Sequence, residues 1–198
     1  MGQFIKVVSS NHGGRIATMS GDIFAKLSIL LALSNSQTAE AFKPILRSKG
    51  VGRVVAVTSN VDALAILNEM NFNMLVVDDG FPDLGGFDFC RFIRLTNIDV
   101  SVAPIILGIH GPDQQSVLKA RDVGASKIVA MPLTGQSLIK AVSSALAEMK
   151  PIVQTSSYNG PDRRRQRANP WTKPERRKMQ TKLVTLDKQR RVMFGTNG

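Results

Sequence analysis

The feature that most constrains this chain is a rhythm: five short runs rich in Val, Ile and Leu, each followed by a longer segment with helical spacing of its apolar residues. The pairs are 27–33 with 37–47, 54–57 with 61–70, 74–77 with 87–95, 104–107 with 113–122, and 127–130 with 135–149. The short runs are continuously apolar rather than alternating, which marks strands buried on both faces, as in a parallel sheet with helices on each side. Connections of a few residues suit right-handed crossovers between neighbouring parallel strands.

Five such units predict an α/β fold: a doubly wound, five-stranded parallel sheet, flavodoxin-like, in the order 2-1-3-4-5. Residues 26–150 form this body. Residues 1–25, with Gly13-Gly14 and no sustained period, read as a flexible arm, and residues 151–198 as a basic, arginine-rich, disordered tail. In a sheet of this kind function gathers at the carboxyl ends of the strands. Those ends are Leu33-Ser34-Asn35, Thr58-Ser59-Asn60, Asp78-Asp79-Gly80, Gly108-Ile109-His110 and Ala130-Met131-Pro132.

Charge separates the tail from the body. Of the 198 residues, 26 are Lys or Arg and 15 are Asp or Glu, a net +11. Twelve of the basic residues fall in 151–198 against Asp162, Glu175 and Asp187 alone, so the body is nearly neutral. Any electrostatic attraction for nucleic acid or an acidic partner therefore belongs to the tail. Cys90 is the only cysteine, which excludes an intrachain disulfide or a thiolate metal cluster within one chain and fits a reducing, cytoplasmic setting. The run 27–33 falls far short of the ~20 apolar residues a membrane-spanning helix needs, and 25 residues ahead of it make a poor signal leader. No membrane insertion is expected.

The stretch from Asn73 to Phe87 carries the chemistry. An apolar strand leads to Asp78, with Pro82 four residues later and Gly86 four beyond that, followed by the helical Phe87-Asp88-Phe89-Cys90-Arg91-Phe92-Ile93-Arg94. This pattern resembles the CheY-like receiver domain of bacterial two-component response regulators, and the resemblance spans the five-unit region. It makes Asp78 the candidate phosphoacceptor, a carboxylate nucleophile assisted by a divalent cation on the transferring oxygens. Asp79, Gly80, Pro82, Ile109, Met131 and Pro132 become its pocket neighbours. Magnesium, with Asp78 as ligand and the carbonyl of Gly80 beside it, is the one cofactor that the resemblance brings up. The alternative is that Asp78 and Asp79 only solvate a strand end.

Three features of the receiver pattern are missing. Leu33 and Ser34 stand where the first strand should end in an acidic pair, and no carboxylate lies between Asp22 and Glu40. Asp79 is a poor substitute, because successive strand residues point to opposite faces. The fourth strand offers Gly108 or Ile109 in place of a Thr or Ser hydroxyl. The fifth ends in Met131-Pro132 rather than Lys-Pro, keeping the proline and a cis bond before it while losing the ammonium. Losing cation site, hydroxyl and counter-charge together removes most of the electrostatic stabilisation on which phosphoryl transfer depends.

Elsewhere the chain offers little chemistry. His110 and Cys90 read as a loop imidazole and a packed thiol, and the glycines make neither a dinucleotide nor a phosphate-loop fingerprint. No enzymatic turnover and no catalytic residue is expected. In the tail, Pro161-Asp162-Arg163-Arg164-Arg165 recurs thirteen residues later as Pro174-Glu175-Arg176-Arg177-Lys178. This pattern resembles arginine-rich segments appended to bacterial signalling proteins. Arg163, Arg164, Arg165, Arg167, Arg176 and Arg177, with Tyr158 and Trp171 nearby, could grip phosphates and stack on bases of RNA, single-stranded DNA or a cyclic dinucleotide. Met179, Leu183, Leu186 and Met193 space out a weak amphipathic helix able to dock on the body or on a partner.

The combined expectation is a degenerate receiver, a pseudo-receiver, acting as a signalling adaptor toward a histidine kinase or another two-component protein. The alternatives are nucleic-acid or cyclic-dinucleotide binding through the tail, and a conventional phospho-switch at Asp78.

Overall fold

All five residues of strand β3 (Met74–Asp78) are buried, as an unbroken apolar run requires, and the sheet assembles around it. β1 (Ser28–Ala32) and β4 (Ile105–His110) flank it, with β2 (Arg53–Val57) and β5 (Lys127–Met131) at the edges. Every pairing is parallel and the order is β2-β1-β3-β4-β5, the expected doubly wound topology. The computed structural model describes residues 21–163 and 181–195.

Helices cover both faces and divide the core in two. α2 (Ser36–Ser48) and α6 (Gly135–Ala147) bury Phe42, Leu46, Leu138 and Val142 against Ile29, Leu31, Val76 and Ile106. α3 (Asn60–Glu69), α4 (Gly86–Leu95) and α5 (Gln114–Asp122) bury Leu67, Phe89, Ile93 and Ala120 against Leu30, Leu75, Val77 and Leu107. Polar side chains start four of these helices: Asn35, Ser59, Asp113 and Thr134 each accept a first-turn N–H, a contact worth ~1 kcal/mol. α4 starts differently. A Cβ on Gly86 would overlap the carbonyl of Asp78, so the glycine eight residues beyond the strand end is what lets the helix lie on that backbone.

Two stretches differ from the sequence reading. Residues 21–25, assigned to a flexible arm, form the short helix α1 (Gly21–Ala25), with Ile23 and Phe24 packed on the core and Phe24 O accepting from Leu27 N and Gly52 N. Residues 1–20 lie outside the described residues. The tail, expected to be disordered, supplies β6 (Ile152–Gln154), β7 (Asn159–Pro161), β8 (Lys182–Val184) and α7 (Leu186–Phe194). The strands form a small antiparallel sheet, order β7-β6-β8. The amphipathic segment is thus partly strand, with Leu183 on β8, and partly helix, with Leu186 and Met193 on α7; Met179 lies outside the described residues.

The physical reason for this order is a set of buried contacts at the end of the main sheet opposite Asp78. Ile152, Val184 and Val192 pack on Val102, in the 3-10 turn Asp99–Val102 that precedes β4. Gln189 Nε2 donates to Val102 O at 2.6 Å, and Asn73 Nδ2 donates to Met193 O at 3.1 Å. Asn159 Nδ2 donates to the carbonyl of Arg94.

Arg94 itself is 1% exposed. Its guanidinium donates to Ser101 O, Ala103 O, Gly124 O and Ser126 Oγ at 2.6–3.2 Å. Burial pushes its pKa down to about 10, so it stays charged near neutral pH. A buried cation is tolerable only when its N–H groups are matched in this way. We expect Arg94→Met to lower the free energy of unfolding by about 3 kcal/mol in denaturant titrations, because at least two buried carbonyls lose their donors. A loss below about 1 kcal/mol would contradict this role.

Candidate functional site

β3 delivers Asp78 to the middle of the sheet's carboxyl edge, where its own apolar neighbours bury it. The residue is 1% exposed. Ser34, immediately after β1, closes over it: Ser34 N donates to both carboxylate oxygens at 3.0 Å, and Ser34 Oγ donates to Oδ2 at 2.7 Å. Hydrogen bonds to a charged acceptor are worth ~1.5–3 kcal/mol each, which is what a carboxylate withdrawn from water needs. Ser34 thus occupies, with a neutral hydroxyl, the place where the resemblance puts acidic cation ligands.

Gly80 sits beside this cap, since a Cβ there would lie 3.4 Å from Ser34 Oγ. Pro82 is half-buried, and its carbonyl accepts from Asn60 Nδ2 at 2.6 Å, while Asp83, at φ 67°, accepts Asn60 N–H at 3.2 Å. Asn60, itself buried, therefore ties the loop after β3 to the start of α3.

The other expected neighbours divide. Gly108 pairs in register with Asp78 and packs with no side chain, and a Cβ there would lie 2.7 Å from Met131 Sδ. The Met131 thioether thus fills the space a hydroxyl-bearing side chain would take. Pro132 follows in a cis peptide, as its position implies, and is exposed. Ile109 does not belong to the pocket. It is 1% exposed and packs in the core beneath α3, α4 and α5, because it shares strand parity with Leu107, opposite to Gly108 and Asp78.

Asp79 turns away from Asp78 to His110: His110 N donates to Oδ2 at 3.0 Å, and His110 Nδ1 lies 2.6 Å from Oδ1. The loop imidazole therefore has a partner that the sequence did not reveal. Both carboxylates at the strand end are thus engaged by protein groups. Magnesium wants several hard oxygen ligands in near-octahedral array, and these residues do not fit it. Among the described residues no group of three or more His, Cys, Asp or Glu stands together for a metal.

With this geometry in view, the comparisons with known proteins are specific. The sequence profile of the response regulator receiver domain matches residues 29–143, more than half of the chain. The chain belongs to that family. Over 119 residues this receiver is 30% identical to the transcriptional regulatory protein AfsQ1 of Streptomyces coelicolor, covering 60% of this chain and 51% of the regulator, about half its length. Over 112 residues it is 25% identical to the chemotaxis protein CheY of Pseudomonas aeruginosa, covering 57% and 90% of the two chains. Among solved structures, the chemotaxis regulator CheY4 of Vibrio cholerae superposes with TM-score 0.55 at 19% identity, over 60% of this chain and 98% of that one. The receiver domain of a histidine kinase from Syntrophus aciditrophicus gives TM-score 0.54 at 23% identity, over 61% and 89%. These two structures speak for the fold.

The tail candidates fare unequally. Arg163 Nη1 donates to Asp122 Oδ1 at 2.6 Å, and its guanidinium carbon lies 3.7 Å from the centre of the Tyr158 ring. The first arginine of the repeat is therefore an anchor to the receiver body. Arg164, Arg165, Arg167, Arg176 and Arg177 lie outside the described residues, as does Trp171. The stretch 164–180 is bracketed by β7 and β8 rather than lying beyond the last ordered element. Among the described residues no helix is long and apolar enough to cross a membrane.

The sequence reading also missed Arg94. Its signal was its place four residues after Cys90 on the apolar stripe of α4. Cys90 is fully buried, and burial pushes its thiol up to about 12, against an opposing pull from Arg94. The thiolate is the reactive form, so Cys90 in the folded protein should resist a disulfide reagent at pH 8 and react at the rate of unfolding. Rapid labelling of the native protein would contradict the packing described.

Proposed function

We propose that this receiver is a signalling adaptor whose fold is uncoupled from phosphorylation at Asp78. The observation that carries the reading is the state of that carboxylate: buried, with both oxygens held by Ser34. In-line attack on phosphorus needs an accessible carboxylate oxygen and positive charge on the transferring group. Ser34, Gly108 and Met131 supply no positive charge, and the carboxylate next in sequence, Asp79, is engaged by His110. On this reading the protein is a pseudo-receiver in the cytoplasm, catalyses no turnover, and passes information by surface contacts with a histidine kinase or another two-component partner.

A second reading is binding of nucleic acid or a cyclic dinucleotide through the basic C-terminal unit. It is supported by Lys182, Lys188, Arg190 and Arg191, which are exposed on β8 and α7. Affinity falling steeply with salt would favour it.

The test is intact mass after incubation with magnesium and acetyl phosphate, for the native chain and Asp78→Asn. The adaptor reading predicts no phosphoryl adduct in either. An adduct in the native chain that vanishes in the variant would overturn it and restore a phospho-switch at Asp78.

A further inference from the structure

The end of β4 carries no hydroxyl, yet it is tied to the end of β3 by another device. Asp79 N donates to Gly108 O at 2.8 Å. Its carboxylate then receives His110 N on one oxygen and faces His110 Nδ1 on the other. The two residues are 31 apart in sequence, and this pairing joins the loop after β3 to the loop that leads into α5.

What lies beyond His110 gives the contact its weight. β4 stays paired with β5 as far as His110, opposite Met131; beyond it Gly111 adopts φ 56°, with nothing within 4 Å of the position of a Cβ, and Pro112 is exposed. α5 then begins with a local capping box between Asp113 and Ser116, which satisfies the helix end without fastening it to anything else. Of the nine residues of α5 only Ala120 is buried, while Val117 and Leu118 are each 41% exposed. A helix so lightly packed has little apolar burial to fix its pose. Its C-terminal end is held by Ala120 and Val123 in the core, and its N-terminal entrance by His110.

We propose that Asp79 and His110 are the positioning pair of this receiver: a latch that fixes the β4–α5 connection, and with it the pose of α5, without a phosphoryl group. The proposal rests on the reading that Asp78 does not switch. It moves the point of conformational control to a half-exposed contact, with side-chain exposures of 19% for Asp79 and 53% for His110. A binding partner could reach that contact, whereas the Asp78 carboxylate is sealed. Neither residue touches Asp78 through any hydrogen bond described, so the latch works through the backbone of β4 and the loop it anchors.

The experiment is site-resolved amide hydrogen exchange on the full chain, comparing native protein with His110→Ala and with Asp79→Asn. Loss of the latch should speed exchange across 110–118 by about tenfold, the effect of one charge-assisted hydrogen bond. Amides of β1 and β3 should keep their native rates. Because Asp79→Asn leaves the shape of the side chain intact and keeps an oxygen that can accept from His110 N, acceleration in the same direction but smaller than in His110→Ala separates loss of the latch from a packing defect. Unchanged exchange over 110–118 in both variants would overturn the latch, and so would acceleration spread evenly over the sheet. Treating the same variants with acetyl phosphate distinguishes the two ideas: an adduct at Asp78 sinks the adaptor reading, whereas the exchange pattern alone judges the latch.

Discussion

Everything at the carboxyl edge of this sheet depends on one constraint: a carboxylate that ends a fully buried strand must be compensated where it stands. Asp78 is the fifth buried residue of β3, and its charge cannot retreat to water. Isolated burial of such a group costs several kcal/mol, so the surroundings must answer it with positive charge or with donors. This chain answers with donors. Ser34 gives an N–H shared by both oxygens and a hydroxyl to Oδ2, a neutral arrangement, and Gly108 with Met131 fills the adjoining space with a thioether. The pieces are consistent with one another, because the serine cap supplies the donors that Asp78 accepts and the methionine takes the room that a glycine leaves.

The fold was legible in the sequence because its signals are periodic and redundant. Five apolar runs with five helical patterns leave few topologies, and Asp78, Pro82 and Gly86 mark the strand end with steric demands that the structure makes explicit at Gly86. The site was legible only in part. That Leu33 and Ser34 replace carboxylates can be counted along the chain, but that Ser34 caps Asp78 depends on the parallel pairing of β1 with β3. Ile109 was misplaced because one step of strand parity decides between pocket and core. The Asp79–His110 contact joins residues from two strand ends, which a linear reading places in unrelated loops.

The C-terminal region was hardest to read, and for a physical reason. Its composition is that of a disordered segment, polar and cationic, and its strands are three residues each, too short to show a period. Order comes from contacts with the receiver instead: the amide of Asn73 on Met193 O, the amides of Gln189 and Asn159 on the carbonyls of Val102 and Arg94, and apolar packing on Val102. Arg163, which the repeat presents as one of six anion-binding arginines, is held by Asp122 and Tyr158. One copy of the repeated motif therefore begins with a structural contact, and the unit it anchors sits at the pole of the sheet away from Asp78.

On the proposed reading, the Asp78 site is closed by its own residues rather than open to a cation and a phosphoryl group. The most direct measurement is an amide NMR titration with magnesium and beryllofluoride, following Ser34, Asp78 and Gly80. No saturable shift is expected at these three amides at millimolar magnesium, with Asp78→Asn indistinguishable in its response. Saturable shifts at Ser34 and Gly80 that vanish in Asp78→Asn would show an accessible acceptor and contradict it.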